Sequence, residues 1–243
     1  MGPPSDNDMK TKIKKAKVCV SVAAKSIDEV LTVARRIEDD ADVIEIRLDG
    51  IDTIDFSPLI TTLKKPLLLT NRPTWEGGKF SGDEEVRVAS LVEAVRLNCA
   101  YVDLEFLAPA RSQGKIMRAK DNSSTKLILS WHNFKETPSR LELLAIMDEM
   151  VYRGCDIGKI VTMANDYHDV LRVLQLQEAA EKIDFPLIAF CMGQAGVISR
   201  LATLVLGGYM TYCMADRGEA TAPGQMSLAT MRQIYKSMDS DEH

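Results

Sequence analysis

Ile157-Gly158-Lys159-Ile160-Val161-Thr162-Met163-Ala164-Asn165 is the stretch from which the fold can be read. It is apolar and β-branched, with Gly158 near its start and Asn165 at its end, which predicts a buried strand. One lysine interrupts it. Desolvation disfavours the ammonium form, so a lysine in a strand core becomes a neutral amine, a nucleophile for a carbonyl substrate. The same pattern also fits a lysine at a barrel mouth whose head reaches water along an apolar stem.

Outward from this strand the chain repeats one rhythm. Before it, strands are predicted at 18–22, 43–48, 66–71, 101–106 and 126–131, and after it at 186–192 and 209–214. Helical spacing falls between them at 27–39, 57–63, 83–98, 139–153, 167–182, 197–206 and 227–238, with a weaker stretch ending at Ala119. Ser26 stands as an N-cap with Glu29 at the capping-box position. Alternating strands and helices imply a parallel sheet, and eight such units fit a closed (β/α)8 TIM barrel of the α/β class. An open doubly wound sheet is the competing architecture, but no G-x-G-x-x-G follows the first strand.

Composition agrees. The chain has 243 residues, 46% hydrophobic and 27% charged, enough for one sizeable core. The polar, lysine-rich segment 1–16 reads as a mobile tail ahead of a single barrel domain over 17–243. A net charge of -5 and the lack of a basic face argue against nucleic acid. No apolar run is long enough for a bilayer, and Met1 to Lys17 has no signal-peptide core. Five cysteines without C-x-x-C spacing suggest a reducing, cytoplasmic setting and no structural zinc.

In such a barrel the chemistry gathers at the C-terminal strand ends. Glu45 and Arg47, two apart, share the inward face of the second strand, either as a structural ion pair or as a polar wall for substrate hydroxyls. Arg72 ends the third strand, and Glu76 follows in a glycine-rich loop able to turn back over the mouth. Asp103 and Glu105 alternate on the fourth strand in a structural or electrostatic role. His132, at the end of the fifth strand, is a candidate proton shuttle. Arg200, one turn into a helix after the seventh strand, suits a carboxylate grip, or a phosphate cup. The segment 216–226 reads as a lid that excludes water. A Schiff base is an electron sink that acidifies the adjacent carbon, so lysine plus histidine fits proton abstraction beside an iminium.

Six stretches then carry a resemblance: Glu45-Ile46-Arg47-Leu48-Asp49, Arg72-Pro73-Thr74-Trp75-Glu76-Gly77-Gly78, Ser130-Trp131-His132-Asn133, Lys159-Ile160, Met192-Gly193 through Gly196 to Ser199-Arg200, and Ala222-Pro223-Gly224-Gln225. In that order and spacing the chain resembles type I 3-dehydroquinate dehydratase of the shikimate pathway, over nearly all of Val18 to Tyr235. The resemblance implies syn elimination of water from 3-dehydroquinate, with no metal or cofactor, in a class I aldolase-like homodimer. It casts Lys159 as the imine-forming residue, His132 as general acid/base and Glu76 as the carboxylate that orients it. It casts Arg200 as the carboxylate anchor, Glu45, Arg47 and Arg72 as substrate-binding residues, and Thr221 and Gln225 as lid contacts. Phe190 and Met192 face the lysine where members often carry two methionines. The Arg-Pro-x-Trp-Glu-Gly-Gly form resembles plant bifunctional enzymes, which makes a plastid origin an option for an excised domain. Two readings compete: a class I aldolase-type lyase or isomerase acting on a phosphorylated keto substrate, and a non-catalytic barrel binding a small acid.

Overall fold

The computed structural model describes residues 16–215 and 220–239. The expected tail lies outside them up to residue 15, whereas Ala16, assigned to that tail, is buried against the core. Eight strands alternate with eight helices among the described residues. The strands are β1 (Lys17–Val22), β2 (Val43–Arg47), β3 (Leu67–Thr70), β4 (Tyr101–Glu105), β5 (Lys126–Asn133), β6 (Ile157–Met163), β7 (Leu187–Met192) and β8 (Met210–Met214). The helices are α1 (Ile27–Ile37), α2 (Ser57–Thr62), α3 (Glu84–Arg96), α4 (Ala110–Lys120), α5 (Arg140–Tyr152), α6 (Tyr167–Lys182), α7 (Val197–Val205) and α8 (Leu228–Asp239). All pairings are parallel, in the order β7-β6-β5-β4-β3-β2-β1-β8. Tyr209 N–H donates to Leu187 O at 2.9 Å and brings β8 beside β7, so the sheet comes round nearly to closure as a (β/α)8 barrel.

The period of two along each strand sorts side chains between two cores. Val43, Leu68, Tyr101, Ile128, Ile157, Val161 and Ile188 meet inside the ring. Ile44, Ile46, Leu69, Val102, Leu104, Leu129 and Ile160 pack outward against apolar stripes of the helices, such as Val30, Leu91 and Val173. Local chemistry starts several helices. Ser26 Oγ accepts from Glu29 N–H at the head of α1, and Ser139 with Glu142 forms a full capping box on α5.

Element ends lie within a few residues of expectation, and one difference matters. β5 was expected to stop at Trp131 but runs to Asn133, because His132 and Asn133 pair in register with Val161 and Thr162 of β6. Pairing with a neighbouring strand outweighs the polar character of these residues. The histidine is thereby held by the sheet itself. No helix among the described residues is long and apolar enough to cross a membrane.

Candidate active site

The inward period of β6 places Ile157, Lys159 and Val161 inside the ring, with the lysine side chain only 5% exposed. It does not reach water, as the mouth reading allowed, nor is it left bare by burial. Its Nζ donates to Asp103 Oδ2 at 3.1 Å. Burial alone would raise the Asp103 carboxyl; Arg72, Lys159 and His132 overcome that and hold it well below the usual carboxylate range. The lysine therefore faces an ionised partner. Asp103 had no assigned role in the reaction, although its alternation with Glu105 on β4 was the available signal.

Arg72 is the hub behind this pair. Its Nη2 donates to Asp103 at 2.8 Å, and its Nη1 reaches Glu105 at 2.7 Å, Ser130 at 2.8 Å and Glu76 at 3.0 Å. Arg87 of α3, fully buried, continues the network from outside the barrel to Glu105 and Glu84. Although Arg72 lines the cavity, both of its terminal nitrogens serve protein acids, so it fixes carboxylates as much as it could bind a ligand.

Glu76 arrives by backbone geometry. Thr74–Glu76 makes one 3-10 turn, and Gly77 closes it with φ 77°, in the left-handed region open to glycine. A Cβ on Gly77 would also lie 2.5 Å from the Phe134 ring. The turn delivers Glu76 Oε2 to 3.0 Å from His132 Nδ1. Burial, followed by Arg72 and Lys159, keeps the imidazole neutral by pushing its pKa well below 6.5. Burial pushes the Glu76 carboxyl up to about 8 against the pull of Arg72, with Glu105 and Asp103 adding to the rise. The hydrogen bond to Glu76 occupies Nδ1 and leaves Nε2 as the ring's other working position.

Glu45 and Arg47 share the cavity wall but do not pair with each other. Glu45 Oε1 accepts from Thr70 Oγ1 at 2.8 Å and Oε2 from Ser21 Oγ. Arg47 forms a fork with Asp49, two bonds of 2.8 Å, and Asp49 in turn accepts from the Arg72 and Lys79 backbone.

The far wall is different in kind. Arg200 of α7 is fully buried, and its guanidinium lies 4.4 Å over the Phe190 ring. One nitrogen donates to Pro223 O at 3.2 Å. Nε and Nη1 have no partner, and burial lowers the Arg200 pKa to about 10, so it stays cationic at neutral pH. A buried cation with two nitrogens unpartnered is costly and marks a place for an anion. Ser199, read beside it, serves the backbone: its Oγ donates to Gly196 O and accepts from Cys191 N–H.

Of the expected lid, residues 216–219 lie outside the described residues. The rest folds over the mouth. Gln225 Oε1 accepts from Thr221 N–H at 2.8 Å and from Thr221 Oγ1 at 3.2 Å, making a self-capped loop. Gly224, at φ 76°, lies against the Gly193 carbonyl, where a Cβ would come within 2.8 Å.

Glu45, Arg47, Arg72, Glu76, His132, Lys159, Arg200, Thr221 and Gln225, the candidates read from the sequence, all line one cavity. Phe190, Met192 and Tyr212 are among its other lining residues; Tyr212 had not been singled out. Among the described residues no group of three or more His, Cys, Asp or Glu is arranged to hold a metal ion.

The comparisons with known proteins bear on this geometry. Residues 18–242 match the family model of type I 3-dehydroquinase. A 3-dehydroquinate dehydratase from Desulfotalea psychrophila is 48% identical over 219 residues, covering 90% of this chain and 96% of that protein. A chloroplastic bifunctional 3-dehydroquinate dehydratase/shikimate dehydrogenase from Arabidopsis thaliana is 37% identical over 225 residues, which are 90% of this chain and 36% of the relative. Among solved structures, a type I 3-dehydroquinate dehydratase from Clostridium difficile, determined with covalent modified comenic acid, superposes with a TM-score of 0.84 at 25% identity, covering 94% of each chain. A match of this extent in sequence, together with the same barrel, means that the chain belongs to the type I 3-dehydroquinase family.

Proposed function

We propose that Lys159 carries the activity of this family here, the hydro-lyase conversion of 3-dehydroquinate to 3-dehydroshikimate, through a Schiff base. The lysine amine adds to the C3 ketone, and the carbinolamine oxygen takes up a proton from solvent and leaves as water, giving an iminium. The iminium acidifies C2, and neutral His132 takes that proton at Nε2. As it does so, Glu76, hydrogen-bonded at Nδ1 and acting in its ionised form, orients the ring and stabilises the imidazolium. The resulting enamine expels the C1 hydroxyl, which leaves as water with the proton from His132. Hydrolysis of the imine then frees the product and the lysine.

Binding starts from the charge that is left open. The unpartnered face of Arg200 takes the substrate carboxylate. Glu45 and Arg47 meet ring hydroxyls, Arg72 steadies the acids around them, and Thr221 with Gln225 closes the loop above. The observation that carries the reading is the burial of one amine, one neutral imidazole and one unpaired guanidinium around the same cavity. The same reading carries a cytoplasmic homodimer. Exposed Leu141 and Tyr152 on α5 and Tyr167 and Leu171 on α6 support a protein contact there, which sedimentation would test.

Borohydride reduction in the presence of 3-dehydroquinate is the decisive experiment. A stable adduct on the Lys159 peptide by mass spectrometry is expected, and Lys159→Ala should lose both adduct and turnover. An active enzyme that yields no adduct rules the mechanism out.

A further inference from the structure

Five buried side-chain polar atoms lack a hydrogen-bond partner among the described residues: Asn71 Oδ1, Glu76 Oε1, Arg200 Nε and Nη1, and Tyr212 Oη. All but the first belong to residues lining the active-site cavity. Glu76 and Arg200 already have work in the reaction; the phenol of Tyr212 has none. A buried hydroxyl left unpaired is disfavoured, so its persistence at a ligand cavity points to a partner that arrives with the ligand.

The inward period of β8 sends Tyr212 into the ring, 3% exposed. Its ring lies against the reacting amine, with Lys159 Nζ 4.1 Å from the centroid, while the same nitrogen donates to Asp103 at 3.1 Å. Phe190 packs against it at 5.9 Å between centroids and carries the Arg200 guanidinium on its own face. Tyr212 and Phe190 together thus form an aromatic wall that runs from Lys159 to Arg200. Burial, with Cys19, Glu45 and Asp103 nearby, pushes its pKa well above 10, so the group is a donor throughout the working range. The nearby acceptors are engaged elsewhere: both Glu45 oxygens accept from Ser21 and Thr70, and Asp103 from Arg72, Ser130 and Lys159.

We propose that Tyr212 is a further substrate-binding residue, whose hydroxyl donates to a ring hydroxyl of the bound keto acid while its ring face backs the lysine nitrogen. The inference rests on the Schiff-base reading and makes the site selective for a hydroxylated ring over a bare cyclic ketone carrying the same carboxylate.

Tyr212→Phe tests this, since it keeps the ring and removes one oxygen. Rates of borohydride trapping on Lys159 are compared for 3-dehydroquinate and for 3-oxocyclohexane-1-carboxylate, which has ketone and carboxylate but no hydroxyls. The variant should trap 3-dehydroquinate about 3- to 10-fold more slowly at sub-saturating concentration, the size of one hydrogen bond, and the bare ketone at the unaltered rate. Equal loss with both ligands would mean that the residue acts through packing or the lysine, and no loss with either that a bound water satisfies the phenol; each overturns the proposal. Absence of any adduct in the unaltered enzyme sinks the Schiff-base reading and this inference together, whereas normal trapping by both proteins sinks the inference alone.

Discussion

The two sides of the barrel mouth solve opposite problems. On the side of β3, β4 and β5, nearly every charge is answered by another: Arg72 touches Asp103, Glu105 and Glu76, Arg87 holds Glu105, and Glu76 holds His132. On the side of β7, β8 and the lid, a guanidinium and a phenol lie against aromatic rings with nitrogen and oxygen atoms unanswered. Lys159 touches both sides, bonded to Asp103 and set over the Tyr212 ring. The saturated side is machinery set in place before substrate comes; the unsaturated side is where substrate supplies the missing partners. Preorganised charge costs no rearrangement at the moment of reaction, whereas an open donor stores affinity for a ligand.

The largest expected effect falls on the saturated side. His132→Ala should slow turnover by about 10²–10⁴-fold, as general acid–base catalysis is worth, while the Lys159 adduct still forms. An unimpaired variant would remove the histidine from the reaction.

A matched pair of substitutions addresses the contrast directly. Arg200→Met removes a buried charge that has few partners, so unfolding stability should hold or rise while KM increases about 10- to 100-fold, from lost charge-assisted bonds of about 1.5–3 kcal/mol. Asp103→Asn strips Arg72 and Lys159 of their shared anion, and breaking such a buried network should cost about 3–5 kcal/mol in urea unfolding. Similar losses of stability in the two variants would erase the distinction between the sides.

The smallest effect is in the pH profile. Burial, Arg72 and Lys159 hold the His132 pKa well below 6.5, so the ring stays neutral until pH falls through that lower value. The acid limb of kcat/KM should therefore show no His132 step at 6.5: the first drop comes at about 8, where Glu76 takes up a proton, and the imidazole's own lies beneath 6.5. A midpoint at 6.5 that persists in Glu76→Gln would show an imidazole free of its cationic neighbours.

Much of the site was legible because strands expose their logic at a period of two. The inward place of Glu45 and Arg47 and the shared face of Asp103 and Glu105 follow from alternation, and glycines at 77 and 78 announced a tight loop carrying Glu76. What could not be read were the pairings. Glu45 and Arg47 share a face, yet Arg47 closes on Asp49 and Glu45 on two hydroxyls from neighbouring strands. The lysine was expected to stand as a bare amine, but β4 brings a carboxylate to it across the ring.

Sequence by itself determined the eightfold alternation, the inward side of the second strand and the residue types capable of the chemistry, since these depend on local periodicity and intrinsic reactivity. Only the tertiary structure decided which charges are spent on one another and which are left for substrate. Closing the ring sets residues far apart in the chain within hydrogen-bond distance, and burial then magnifies every pairing made or missed there.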